Sequence, residues 1–190
     1  FGFTLPDGQA MDGVKEAISL ENVRLVGLHC HIGSQIFAMH SFQHATSIMM
    51  DFIAEIKKSS GYEIVELDMG GGFGIYYYPG DEPPAAEDWA DAVMLTVESK
   101  AKELGLTTPI VIVEPGRSIA GPAGATLYTA GSVKEVKGIR KYLAVDGGMG
   151  DNPRPALYGS QYTAIIANRT NETAVEKVSI AGKCCELGDM

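Results

Sequence analysis

Five short stretches hold residues that could do chemistry: "HCHIGSQ" (29–35), "DMGGGFG" (68–74), "EPGRS" (114–118), "DNPRPALY" (151–158) and "CCELGD" (184–189). Gly70, Gly71 and Gly72 form no core and cost backbone entropy, so they mark a tight turn or a place where backbone comes close to something. A glycine run can also leave N–H groups facing an anion, as phosphate-binding loops do. Ser34 and Arg117 can both bind phosphate oxygens, which moves the choice toward a phosphate. His29 and His31 are two apart on an expected strand, so both face one side. Some metal-dependent hydrolases use such a His-x-His pair, but they need further ligands on later strands. The other histidines, His40 and His44, fall in or near an outer helix, and no metal is expected. Asn152-Pro153 and Arg154-Pro155 read by themselves as turns.

These stretches need elements to position them. Residues 11 to 20 look helical, and "VRLVGLHCHI" (23–32) is a β-branched run leading into "GSQ", a strand and its exit loop. A long helix follows, capped by Ser41, with Phe42, Ala45, Met49, Phe52, Ile53 and Ile56 at three- and four-residue spacing and Gly61 as its stop. A second strand spans 64–69, and "YYYPGDEPP" is a turn-rich loop. Residues 87 to 104 form another amphipathic helix through Trp89, Val93, Val97, Ala101 and Leu104, stopped by Gly105. A third strand begins at Ile110 and exits into Pro115-Gly116. From there the helical period disappears, and 125–136, 140–146, 161–167 and 174–181 read as short strands with no helix between them.

Alternating β and α units suit a parallel sheet or barrel, and a run of strands suits an antiparallel domain. The expected fold is α/β: the C-terminal part of a (β/α)8 TIM-type barrel in residues 1–118, then part of an antiparallel β domain in 119–190. In such a barrel the C-terminal strand ends converge on one mouth, so the first three stretches share one pocket.

The formal charge of −9, from 15 basic against 24 acidic residues, and the lack of a basic cluster argue against nucleic-acid or anionic-membrane partners. No apolar run approaches the roughly 18 residues of a membrane span. Cys30, Cys184 and Cys185 do not suit a disulfide framework, so a reducing, cytoplasmic setting is expected, and the sequons at Asn168 and Asn171 are read as chance. Phe1-Gly2-Phe3 begins without methionine and reads like a strand end, which suggests a piece of a longer protein.

The segments "GLHCHIGSQI", "LDMGGGFGI", "EPGRSIAGPAG", "DNPRPALYGSQY" and "GKCCELGD", in this order, resemble the diaminopimelate decarboxylase family, within the alanine-racemase-like class of pyridoxal-phosphate decarboxylases. The resemblance runs through nearly the whole chain. It implies pyridoxal 5'-phosphate at the barrel mouth, its phosphate cradled by Gly70, Gly71 and Gly72 with Gly72 as a backbone donor and Ser34 as a hydroxyl. Pro115, Gly116 and Arg117 would lie close to cofactor and substrate, and His31 would stack on the pyridine ring. Glu114 would sit beside the ring nitrogen and keep it protonated, the state in which the ring best absorbs the charge left by decarboxylation. Arg154 and Tyr158 would hold the substrate's distal carboxylate, a planar target for guanidinium. Cys185 would protonate the carbanion from the partner subunit of a homodimer, and Glu186 would read the distal amino group.

The implied reaction converts meso-2,6-diaminopimelate to L-lysine and CO2 in lysine biosynthesis. Within the class, a decarboxylase of ornithine, arginine or carboxynorspermidine is the alternative, and a non-catalytic cofactor-binding barrel is another. Leu187 stands where the family usually has serine, which removes a hydrogen-bond partner beside Glu186. No lysine here resembles the family's Schiff-base motif, so the nucleophile is expected upstream and a further tyrosine downstream. The isolated chain is expected to be inactive and, with unpaired sheet edges, marginal in stability.

Overall fold

The structure, a computed structural model, describes residues 2–186 and residue 189. It divides into two compact units, one made of residues through Ile75 with Glu82–Ala123, the other of Tyr76–Asp81 with residues from Gly124 onward. No helix among the described residues is long and apolar enough to cross a membrane.

In the first unit, α1 (Gln9–Ser19) precedes β1 (Gly27–His29), α2 (Met39–Ser60), β2 (Glu66–Asp68), α3 (Ala86–Leu104), β3 (Ile110–Ile112) and the short α4 (Gly116–Ala120). The sheet order is β1-β2-β3 and both pairings are parallel, so α2 and α3 are the crossovers between neighbouring strands. The expected ten-residue strand at 23–32 shrinks to β1, because only Gly27, Leu28 and His29 have ladder partners on β2. Gly2 and Phe3 lie outside any strand, and Phe1 lies outside the described residues.

The two long helices follow their apolar spacing. Phe42, Met49, Phe52, Ile53 and Ile56 of α2 are buried, as are Trp89, Val93, Val97 and Ala101 of α3. Gly61 and Gly105 end them in the left-handed region, at φ 72° and 64°, where glycine is the natural stop. The expected Ser41 cap fails. The helix starts three residues earlier, at Met39 after Ala38, so Ser41 lies in the first turn and its N–H donates to the Ala38 carbonyl. At α3, Asp88 reaches back to accept from the Ala85 N–H at 3.1 Å and leaves its charge at the favourable helix end.

The core contains an aromatic trio. Phe42 stacks on Phe73 with ring centroids 5.1 Å apart, and Trp89 meets them edge-on at 4.7 Å and tilted at 5.4 Å. Phe73 belongs to the glycine loop, so that loop is anchored into the packing of α2 against α3.

In the second unit, β4 (Ala130–Val136) and β5 (Arg140–Val145) form an antiparallel hairpin, and β6 (Ser179–Ala181) pairs with β5 in parallel. The sheet is therefore mixed rather than antiparallel, since the long stretch between β5 and β6 allows a crossover. The expected absence of helix also fails: Arg154–Tyr158 form α5, begun by Pro153 and closed by Gly159 at φ 63°. Residues 161–167 form no strand, and Ile165 and Ile166 are exposed without a ladder partner. The Tyr77 ring packs tilted against Tyr162, with centroids 4.9 Å apart, and the Tyr77 carbonyl accepts from the Thr163 hydroxyl, which holds the 76–81 loop in this unit.

Phe42 is fully buried at the centre of the trio. Phe42→Ala in the full-length protein is expected to cost about 3–5 kcal/mol in chemical denaturation. A loss below about 1 kcal/mol would show that the trio does not hold the loop as described.

Candidate functional site

Parallel pairing sets the site. His29 is opposite Asp68, and Asp68 is opposite Ile112. Hydrogen bonding continues past the strand ends, from Cys30 N–H to the Asp68 carbonyl at 2.9 Å, Met69 N–H to Ile112 at 3.0 Å, and Glu114 N–H to Gly70 at 2.8 Å. The exit loops are thus zipped together, and Glu114 arrives beside His29 with Nε2 and Oε2 3.6 Å apart.

The three glycines are demanded by this closeness. A Cβ on Gly70 would lie 2.5 Å from the Cys30 carbonyl oxygen, on Gly71 2.2 Å from that of Glu114, and on Gly72 2.1 Å from that of Gly33. No real Cβ tolerates such contacts. Gly70 and Gly72 also sit at φ 67° and 93°, where a side chain is strained.

Two of the three glycine N–H groups are taken up within the loops. Gly70 donates to the Asp68 carboxylate at 2.8 Å, and Gly71 donates to His31 Nδ1 at 3.2 Å. Among the described residues, only the Gly72 N–H of the three lacks an acceptor. Arg117 donates to Ser34 Oγ at 2.8 Å, joining the loops after β1 and β3. An open N–H, a hydroxyl and a guanidinium suit a phosphate, and the half-exposed Glu114 carboxylate suits a ring nitrogen. Pro115 and Gly116 start α4, and Ser118 donates to the Pro115 carbonyl at 2.9 Å.

His31 lies beyond the end of β1, so strand alternation does not pair it with His29, and the two rings have different partners. The bond from Gly71 makes Nδ1 of His31 an acceptor, which leaves any ring proton of the neutral imidazole on Nε2. A different set is gathered instead: His29, Asp68 and Glu114 offer ligand atoms within 4.8 Å of one another. The two acids come from the ends of later strands, Asp68 on β2 and Glu114 just after β3. A cation there would compete for the Glu114 carboxylate that a protonated ring nitrogen also needs.

In the second unit, Arg154 lies on α5 with its guanidinium 5.1 Å from the Tyr158 ring centroid. Its Nε is buried without a hydrogen-bond partner among the described residues, an orphan donor of the kind a ligand carboxylate would satisfy. Cys184 and Cys185 are free thiols, Cys185 exposed, and Glu186 is exposed beside it. Leu187 lies outside the described residues. Asp189 is buried, and its carboxylate accepts from the Cys184 N–H at 2.6 Å and from the Met149 N–H. It ties the loop carrying Cys185 to the turn that leads to Arg154.

Asp68 and Asp189 were given no role by sequence reasoning. Asp68 had a local signal, because an aspartate two residues before a glycine can bond that glycine's N–H. Asp189 had none, since its partner Met149 is remote in sequence.

Gly71→Ala is expected to destabilise the full-length protein by about 2 kcal/mol or more, with or without cofactor, because the Glu114 carbonyl cannot move freely. Wild-type thermal unfolding would contradict that contact. Burial, and then the Asp68 charge, push the Cys30 thiol above its usual range. Cys30 therefore stays protonated as pH rises through the range where ordinary thiols ionise, and iodoacetamide should label Cys185 first at pH 8 to 9 by peptide mass spectrometry. Earlier labelling of Cys30 would contradict its placement.

The chain is similar to known proteins along its whole length. The family "Pyridoxal-dependent decarboxylase, pyridoxal binding domain" matches residues 1–121. Diaminopimelate decarboxylase of Bacillus subtilis is 47% identical over 190 residues, covering 100% of this chain and 43% of that protein. Its counterpart in Mycobacterium tuberculosis is 40% identical over 198 residues, covering 100% and 44%. The crystal structure of diaminopimelate decarboxylase from M. jannaschii in co-complex with L-lysine aligns with a TM-score of 0.86 at 38% identity, covering 100% of this chain and 42% of that one. The chain thus spans less than half the length of these relatives. Its β1-β2-β3 unit is a segment of their (β/α)8 barrel. With residues 1–121 matching their pyridoxal binding domain, the chain belongs to the pyridoxal-dependent decarboxylases.

Proposed function

We propose that the whole protein decarboxylates meso-2,6-diaminopimelate to L-lysine and CO2. The observation that carries this reading is the convergence of the Gly72 N–H, Ser34, Arg117 and Glu114 at adjoining strand exits. The names of relatives at 40–47% identity over the full chain support the choice of substrate, as does the L-lysine bound to the M. jannaschii enzyme.

Pyridoxal phosphate, when bound, supplies an electron sink for the charge left at the substrate Cα as CO2 departs. In this reading Gly72, Ser34 and Arg117 hold its phosphate oxygens, with Gly70 and Gly71 setting the loop and Pro115 and Gly116 placing Arg117. Glu114 keeps a proton on the ring nitrogen, since a carboxylate beside a cationic nitrogen favours the charged form. His31 would stack on the ring, and the bond from the Gly71 N–H to its Nδ1 helps to orient the imidazole.

Arg154 and Tyr158 are proposed for the substrate's distal carboxylate and Glu186 for its distal amino group. Cys185 is proposed to deliver a proton to Cα from the partner subunit of a homodimer. Asp189 holds the Cys185 loop. The division into a barrel part at 1–118 and a β part at 119–190 and the cytoplasmic setting belong to the same proposal, the latter supported by three free thiols.

CO2 release by the full-length protein is expected from meso-diaminopimelate, dependent on pyridoxal phosphate, and not from ornithine or arginine. Glu114→Gln should lower kcat by roughly a hundredfold or more while cofactor absorbance is retained. Release from ornithine or arginine alone would overturn the substrate, and an undiminished Glu114→Gln enzyme would overturn the ring-nitrogen role.

A further inference from the structure

Gln35 is the one non-glycine residue with positive φ among the described residues, at 58°. A side chain with a Cβ is disfavoured there, so something must hold it. Its amide does so by bonding both backbone groups of Ile75: Nε2 donates to the Ile75 carbonyl at 2.6 Å, and Oε1 accepts from the Ile75 N–H at 3.2 Å. The side chain thereby imitates a neighbouring strand.

The turn at Gln35 has a consequence for both of its neighbours. Just after it, Ile36 pairs with Phe73 in a parallel bridge, its N–H donating to Gly72 at 2.9 Å and its carbonyl accepting from Gly74 at 3.0 Å. Just before it stands Ser34, already bonded to Arg117. Four hydrogen bonds thus join residues 35–36 to residues 72–75, and two of them belong to the Gln35 side chain. The groups proposed for the phosphate, Ser34 Oγ and the Gly72 N–H, flank this clamp on separate loops.

We propose that Gln35 is a positioning residue for the phosphate end of the cofactor, fixing the distance between the Ser34 hydroxyl and the Gly72 N–H. This rests on the cofactor reading above. Gln35 touches neither reacting atoms nor phosphate; it acts through the two loops. Three substitutions separate its parts. Gln35→Glu keeps the shape and the acceptor but replaces the donor to the Ile75 carbonyl with an oxygen. Gln35→Asn tolerates the left-handed conformation but is too short to bridge. Gln35→Gly removes the strain and both bonds.

The experiment compares binding of pyridoxal 5'-phosphate and pyridoxal, which lacks the phosphate, to the cofactor-free full-length protein and each variant, with an unfolding midpoint for each. All three substitutions are expected to weaken the phosphate form roughly tenfold while pyridoxal changes by less than about twofold. A variant that loses both forms equally, or loses only its unfolding midpoint, would reduce Gln35 to a fold residue and overturn the proposal. Wild-type affinity in Gln35→Gly would also overturn it, because the turn alone would then suffice. A wild-type protein indifferent to the phosphate would overturn the cofactor reading itself, and the proposal with it.

Discussion

The first unit depends on hydrogen-bonded pairing that does not stop where its strands end. Here Cys30, Met69 and Glu114 each carry the ladder one step further, and the three exits are drawn against one another. Backbone then meets backbone at distances no side chain permits, and Gly70, Gly71 and Gly72 are the solution. The glycines are first a packing requirement. Their capacity to meet an anion is what remains after two of their N–H groups have been taken up by Asp68 and His31.

That loop is fixed from behind as well as from the sides. Phe73 follows the last of the three glycines and is buried against Phe42 and Trp89, so α2 and α3 set the depth at which the glycine backbone sits. Each such ring pair adds about 0.5–1.5 kcal/mol beyond the area it buries. Functional groups on loops gain precision when the scaffold behind them is rigid, and the trio supplies that rigidity where Gln35 and Ile36 supply the lateral restraint.

The second unit uses polar means for a similar end. Its strands are short, many of its apolar residues are exposed, and its glycine-rich turns offer little to bury. A buried carboxylate takes the place of a core there. Asp189 collects N–H groups from two segments, with Gly148 and Gly182 leaving room beside it, and so joins the loop bearing Cys185 to the turn before Arg154. Among the described residues, the Nε of Arg154 is buried without a hydrogen-bond partner.

The sequence by itself determined the long helices, their glycine stops, the order of strand and helix in the first unit, and the five stretches that hold the chemistry. Those features are written within a few residues: an apolar period, a glycine that can turn left-handed, a run of glycines between strand and loop. The tertiary structure decided what local pattern could not. It left Ser41 in the first turn of α2, paired β6 in parallel with β5, gave residues 161–167 no strand, and replaced a His29–His31 pair by His29 with Asp68 and Glu114. It also decided that the Gly72 N–H has no acceptor among the described residues and that Gln35 turns left-handed. Except at Ser41, where Ala38 takes the start of the helix, the ladder or hydrogen-bond partner lies tens of residues away, and only the packed chain says whether that partner arrives.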